Sequence, residues 1–123
     1  MFMFMLGCVY KHPRMKINEF NENFLDPVLE KIDKERKTCL LMGDFNINLL
    51  NIESDKLVSN FYDLMTSRCF APFILQPTRI TEKSKTLTDH IFMNSLEYDT
   101  FSGNLTTQIS DHLPQFLILK NFH

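Results

Sequence analysis

Three short motifs follow one another along this 123-residue chain: Gly43-Asp44-Phe45-Asn46, Leu87-Thr88-Asp89-His90 and Ser110-Asp111-His112. Each sets an Asp, an Asn or a His inside or just after an apolar run. Together they supply a carboxylate to take a proton from water, an amide to orient that water, and an imidazole to sit beside a phosphate. Metal-assisted phosphodiester cleavage needs that set. Asp44 and Asn46 are two apart, so on an extended segment they share a side. Taken alone, Gly43-Asp44 reads equally well as a turn closed by an Asx hydrogen bond. Ser110-Asp111 reads equally well as a cap, and Tyr10 as a half-buried aromatic at a strand end or as a phenol that bonds a phosphate oxygen. Asp89 is more demanding. A carboxylate inside an apolar strand is costly to bury without a partner, and His112 is the natural candidate; the alternative is an alternating strand with Asp89 facing water. His90 would point to the opposite face and is read as structural.

Composition bounds what surrounds these residues. With 44% hydrophobic and 23% charged residues, the chain is read as one globular domain, 1–123, with one core. Thirteen Lys and Arg against 15 Asp and Glu leave a net charge of −2, which lacks the basic footprint of most nucleic-acid binders. Positive charge is nevertheless clustered, at Lys11, His12, Arg14 and Lys16 and again at Arg79, Lys83 and Lys85. These are either solvated loops or a phosphate-facing rim. Cys8, Cys39 and Cys69 have no CxxC spacing, and are expected as reduced thiols buried as small hydrophobes in an intracellular protein. Met1 to Leu6 lacks the charged segment of a signal peptide. No run approaches the ~18 apolar residues of a membrane span, so no membrane contact is expected.

The elements that must position the site follow from periodicity. Phe2 to Tyr10 is continuously apolar and predicts a central strand covered on both faces. Ile17, Phe20, Phe24, Val28 and Ile32 predict an amphipathic helix, in which Pro27 either makes a kink or opens a second helix capped by Asp26. Thr38 to Met42 is a second buried strand. Leu57, Phe61, Leu64 and Met65 mark another helix, capped by Ser54 or Asp55. Phe70 to Leu75 and Pro77 to Ile80 read as a loop and a short strand, and Thr86 to Asn94 as the strand carrying Asp89. Thr100 to Ile109 reads as an edge strand or long loop, Leu113 to Leu119 as the last strand, and Asn121 to His123 as a tail. Helices and strands interleave, which argues α/β. Tyr10 and Asp44 both end apolar strands, the edge where ligands gather in open α/β sheets.

Five segments in order, Val9-Tyr10-Lys11-His12-Pro13, Gly43-Asp44-Phe45-Asn46, Pro77-Thr78-Arg79, Thr86-Leu87-Thr88-Asp89-His90-Ile91-Phe92 and Ser110-Asp111-His112, resemble the C-terminal half of the endonuclease/exonuclease/phosphatase superfamily. The Pro-Thr-Arg and Asp-His-Ile-Phe wording resembles the endonuclease domain of non-LTR (LINE-type) retrotransposons, itself similar to apurinic/apyrimidinic endonucleases. The resemblance covers almost the whole chain; Thr88 departs from it, standing where the family usually has an apolar residue. It implies that Tyr10 contacts the scissile phosphate, Asp44 activates or positions the attacking water, and Asn46 orients that water and the phosphate. It further implies that Thr78, with Arg79, lies in a DNA-contacting loop, that Asp89 orients His112, and that Asp111 sits at or near the metal. His112 would bind a phosphate oxygen and stabilise the transition state.

The fold implied is α/β, one half of a four-layer α/β sandwich, a mixed β-sheet with flanking helices, with the N-terminal half missing. Family members are two such halves packed sheet on sheet, on the scale of a ~200-residue domain. The first half carries an Asn and the main Mg²⁺-binding Glu, neither of which has a counterpart here; the reverse transcriptase of intact elements is absent too. The expectation is therefore a truncated copy, or a gene-model fragment, of a Mg²⁺-dependent DNA endonuclease (Mn²⁺ as a substitute) that binds metal weakly, has weak or no activity alone, and self-associates through an exposed sheet face. DNA is the expected partner, and nuclear action is implied by the resemblance. The rivals are a phosphatase or phosphodiesterase acting on small molecules or lipids, and a non-catalytic binding remnant.

Overall fold

The computed structural model describes residues 4–106 and 110–121. Strand β1 (Phe4–Tyr10) is followed by a helical segment made of α1 (Ile17–Phe20), a π-helical turn (Asn21–Leu25) and α2 (Asp26–Glu35). Strand β2 (Thr38–Asp44), a 3₁₀ turn (Leu49–Asn51) and helix α3 (Lys56–Ser67) come next. The two-residue strands β3 (Ala71–Pro72), β4 (Arg79–Ile80) and β5 (Lys85–Thr86) precede β6 (Asp89–Met93), and β7 (Tyr98–Asn104) and β8 (Gln115–Asn121) close the described chain.

The main sheet has the order β1-β2-β6-β3. β1 runs parallel to β2, and β6 runs antiparallel to both β2 and β3, so the sheet is mixed. Two small antiparallel pairs, β4–β5 and β7–β8, lie beside it. Side chains alternate across a strand, and the two cores divide accordingly. Cys39 and Leu41 of β2 and Phe92 of β6 pack with Leu25, Leu29, Ile32, Val58, Phe61 and Met65 of the helical layer. Leu40, Ile91 and Met93 join Ile74 and Leu87 in a second cluster, against which Tyr98, Leu117 and Leu119 of the β7–β8 pair rest. β2 and β6 read as unbroken apolar runs because both of their faces are covered.

β1 departs from the expected central strand. It is the edge strand of this sheet, and Phe4, Leu6 and Tyr10 on one of its faces are exposed. The Tyr98 ring of the β7–β8 pair lies against that face, its centroid 5.4 Å from that of Phe4. Phe2 and Met3 of the predicted strand, Thr107 to Ile109 of the predicted polar segment, and Phe122 and His123 lie outside the described residues.

The first helix differs from its periodic reading in an informative way. Leu25, Leu29 and Ile32 are buried while Phe24 and Val28 are exposed. The π-helical turn just before Pro27 is the cause. Proline has no N–H and crowds the carbonyl four residues back, and widening the turn relieves the clash while adding one residue to the register. The apolar face thereby passes from Phe24 and Val28 to Leu25 and Leu29, and meets the predicted stripe again at Ile32. Arg36, in the left-handed region at φ 51°, ends α2. α3 is capped as expected by Asp55, whose carboxylate accepts from the Leu57 N–H at 2.9 Å, but its buried stripe is Val58, Phe61 and Met65, with Leu57 exposed. Of the three cysteines only Cys39 is buried, which raises its thiol pKa; Cys8 and Cys69 are exposed, contrary to expectation.

Candidate functional site

The site is written across three adjacent strands. Tyr10 stands opposite Asp44 in the parallel β1–β2 register, and Asp44 stands opposite Asp89 in the antiparallel β2–β6 register. His112 arrives from the segment before β8, and its Nδ1 lies 2.9 Å from Asp89 Oδ2. That is the partner the buried carboxylate requires, since Asp89 is only 8% exposed. One ligand-capable atom from each of Asp44, Asp89 and His112 falls within 4.8 Å of the others. Tyr10 is 68% exposed at the strand end beside them.

Both readings of Gly43-Asp44 hold together. Asp44 Oδ1 accepts an Asx hydrogen bond from the Asn46 N–H at 3.0 Å, while its carboxylate also belongs to the cluster. Asn46 adopts a left-handed φ of 47°, a region Asn tolerates. Its Nδ2 donates to the Lys11 carbonyl at 2.6 Å. The Lys11 N–H in turn donates to the Asp44 carbonyl at 3.0 Å, extending the β1–β2 pairing past the strand ends.

Lys11 is not part of a phosphate-facing rim. It is buried, and its ammonium donates to the carbonyls of His12 and Met15 at 3.1 and 2.9 Å. Desolvation lowers its pKa, opposed by the nearby Asp44 carboxylate. His12, Arg14, Lys16, Lys83 and Lys85 are exposed.

Asp44 and Asp89 form a cross-strand pair of like charges, an arrangement that destabilises a sheet when nothing compensates it. His112 lies against one of the two carboxylates. A divalent cation suits the rest of the donor set: two carboxylate oxygens with an imidazole beside them, where β2 ends and β6 begins. Asp44 and Asp89 are the residues that would hold it, with His112 at its border.

Asp111, expected at or near the metal, is turned elsewhere. Its Oδ2 accepts from Arg79 Nε at 2.9 Å, and this hydrogen bond holds its carboxyl below the usual carboxylate range. Arg79, expected to face substrate, is thus engaged within the protein. The pair belongs to a short strand-like contact in which Arg79 bridges His112, and the Ile80 N–H donates to the Asp111 carbonyl at 3.0 Å. Thr78, expected to lie in a DNA-contacting loop, turns its side chain inward. It is wholly buried, and its hydroxyl oxygen accepts from the N–H groups of Thr88 and Asp89 at 3.3 and 3.1 Å.

His90 is structural, as the strand period requires. It packs among Phe45, Phe61 and Phe92, and its Nε2 lies 2.9 Å from the Ile47 carbonyl. Burial drives its pKa down to about 4. The folded state therefore resists a proton that the unfolded chain accepts at its ordinary pKa near 6.5. Stability should be independent of this group above pH 6.5 and fall as the pH drops toward 4, by about 3 kcal/mol in all. Urea denaturation of wild type and His90→Phe across that range checks it: the substitution should flatten this part of the profile, and identical pH slopes would refute the assignment.

One contributor was not singled out from sequence. Asn48 Oδ1 accepts from the Leu87 N–H at 2.9 Å and from the Leu50 N–H at 3.2 Å, tying the chain after Asn46 to the chain before Asp89. An Asn amid Ile47, Leu49 and Leu50 was the available signal.

No protein-family model matches the chain, and no curated protein does. Solved structures do. The endonuclease domain of TRAS1, a telomere-specific non-LTR retrotransposon, aligns with a TM-score of 0.66 at 16% identity, over 90% of this chain and 55% of that one. A functionally unknown conserved protein from Enterococcus faecalis V583 aligns at 0.63 and 15% identity, over 94% and 49%. An endonuclease/exonuclease/phosphatase family protein from Leptotrichia buccalis C-1013-b aligns at 0.56 and 18% identity, over 79% and 43%. The chain thus spans about half the length of these structures. At such identities the likeness is one of fold, and the chain carries the α/β fold of the endonuclease/exonuclease/phosphatase proteins.

Proposed function

We propose that the chain forms part of a divalent-metal-dependent endonuclease domain that nicks DNA by hydrolysis, with its other catalytic groups on a further α/β half. The observation that carries this reading is the convergence of Asp44, Asp89 and His112 within 4.8 Å, where β2 ends and β6 begins. Asp89 holds the His112 ring through Nδ1, leaving Nε2 to meet a phosphate oxygen. Asp44 accepts or steers the proton of the attacking water. Asn46 keeps its side-chain oxygen and a second N–H for water and phosphate, having given one N–H to Lys11. Tyr10 presents its phenol to a non-bridging oxygen. A divalent cation, Mg²⁺ or Mn²⁺, would supply charge neutralisation and a more acidic water when bound. Exposed Arg14 and Lys16 in the segment after β1, Lys83 in the turn between β4 and β5, and Lys85 on β5 suit a phosphate backbone.

The test is nicking of supercoiled plasmid by folded protein with Mg²⁺ or Mn²⁺, with a small phosphomonoester assayed in parallel. Slow, metal-dependent nicking is expected. Turnover of the phosphomonoester alone would move the reading to a phosphatase. Folded protein that neither binds the cation nor cleaves either substrate would overturn it.

A further inference from the structure

We propose that Thr78 is the positioning residue of the Asp89–His112 pair, holding both partners from one buried point. This rests on the hydrolase reading for its catalytic meaning, but its structural content can be measured separately.

Asp89 opens β6, and a strand's first residue is free to fray unless its backbone is anchored. The Thr78 hydroxyl supplies the anchor by accepting from the N–H groups of both Thr88 and Asp89. His112 lies in a segment without a regular sheet neighbour, and the same residue secures it from the other side. The Thr78 carbonyl accepts from the Leu113 N–H at 2.6 Å, while the Thr78 N–H donates to Thr86 at 2.8 Å. Backbone and side chain of Thr78 therefore tie the two chain segments that bring Asp89 and His112 together, 23 residues apart in sequence. The hydroxyl is fully buried, so removing it leaves two backbone donors without their acceptor. Thr78 is buried and is not a member of the Asp44–Asp89–His112 cluster, so it acts only through the pair.

The experiment compares wild type, Thr78→Ser (hydroxyl kept) and Thr78→Val (shape kept, hydroxyl lost) by NMR, without metal or DNA. Its two readouts are amide exchange at Thr88 and Asp89 and the low-field proton of the His112 Nδ1–H, assigned by its loss in His112→Gln. Wild type and Thr78→Ser should show both amides protected and the low-field proton present. In folded Thr78→Val the two amides should exchange at least tenfold faster, relative to Leu40 and Leu41, and the low-field proton should broaden or vanish. Unprotected Thr88 and Asp89 amides in wild type would overturn the proposal even if Thr78→Val fails to fold. So would a folded Thr78→Val with an unchanged spectrum, or a Thr78→Ser that loses the signal. Where nicking is measurable, kcat should fall in Thr78→Val with KM little changed and recover in Thr78→Ser. Absence of both Mn²⁺ binding and nicking in folded wild type, with the NMR result as expected, would refute the endonuclease reading and leave the positioning role intact.

Discussion

Asp44→Ala should lower metal-dependent nicking by about 10²–10⁴-fold, the range for loss of a positioned acid–base group, while the protein stays folded. Its carboxylate makes one local hydrogen bond, to the Asn46 N–H, and its removal also relieves the like-charge pairing with Asp89. The two effects oppose each other, and the net stability change should stay within about 1 kcal/mol. Mn²⁺ binding, followed by calorimetry, should weaken in step with activity. His112→Ala should match the activity loss but differ in stability. It strips the nearly buried Asp89 carboxylate of its partner, a loss of about 1–3 kcal/mol. That contrast separates a site residue from a structural one. Nicking by Asp44→Ala at the wild-type rate would remove Asp44 from the mechanism.

The site was legible where a residue violated its local pattern. Asp89 could be paired with His112 because a carboxylate in an apolar strand demands a partner, and the structure supplies the one expected at 2.9 Å. His90 could be set aside by the period of two alone. The π turn before Pro27 was not legible, since the apolar pattern fits both registers until the proline's steric demand is resolved in three dimensions. Lys11 and Thr78 look from sequence like surface residues after a strand and in a loop, but both are buried because their polar atoms find backbone partners. Asp111 could have paired with any of several cations, and nothing in the sequence singles out Arg79, 32 residues away. The edge position of β1 was hidden because an apolar run looks the same with one covered face or two.

Gly43→Ala should be the most damaging of the three Gly→Ala changes open to this chain. Gly43 has a φ of +146°, and a Cβ built there would lie 1.9 Å from the Val9 carbonyl oxygen and 2.9 Å from the Val9 carbonyl carbon. Those atoms belong to the paired strand, since Val9 stands opposite Gly43, so no side-chain rotation relieves the overlap. Either β2 changes conformation or β1 separates from it. A loss of about 4 kcal/mol or more is expected, in the exceptional class for one substitution and a large part of the roughly 5–15 kcal/mol that holds a domain together. The urea midpoint should drop sharply, and any folded remainder should lose Mn²⁺ binding because Asp44 and Tyr10 come next along both strands. An unchanged midpoint would mean that the two strands do not approach so closely.

The single row of Tyr10, Asp44 and Asp89 also dictates where the gene can change length. One residue inserted within β2 ahead of Asp44 would turn its carboxylate to the helical side of the sheet and bring Phe45 outward in exchange, deleting the site without altering composition. The Glu82–Ser84 turn between β4 and β5 lies on the surface and carries no member of that row. Insertions and deletions that keep the Asp44–Asp89–His112 cluster should therefore gather in this turn and be absent from β2 and β6.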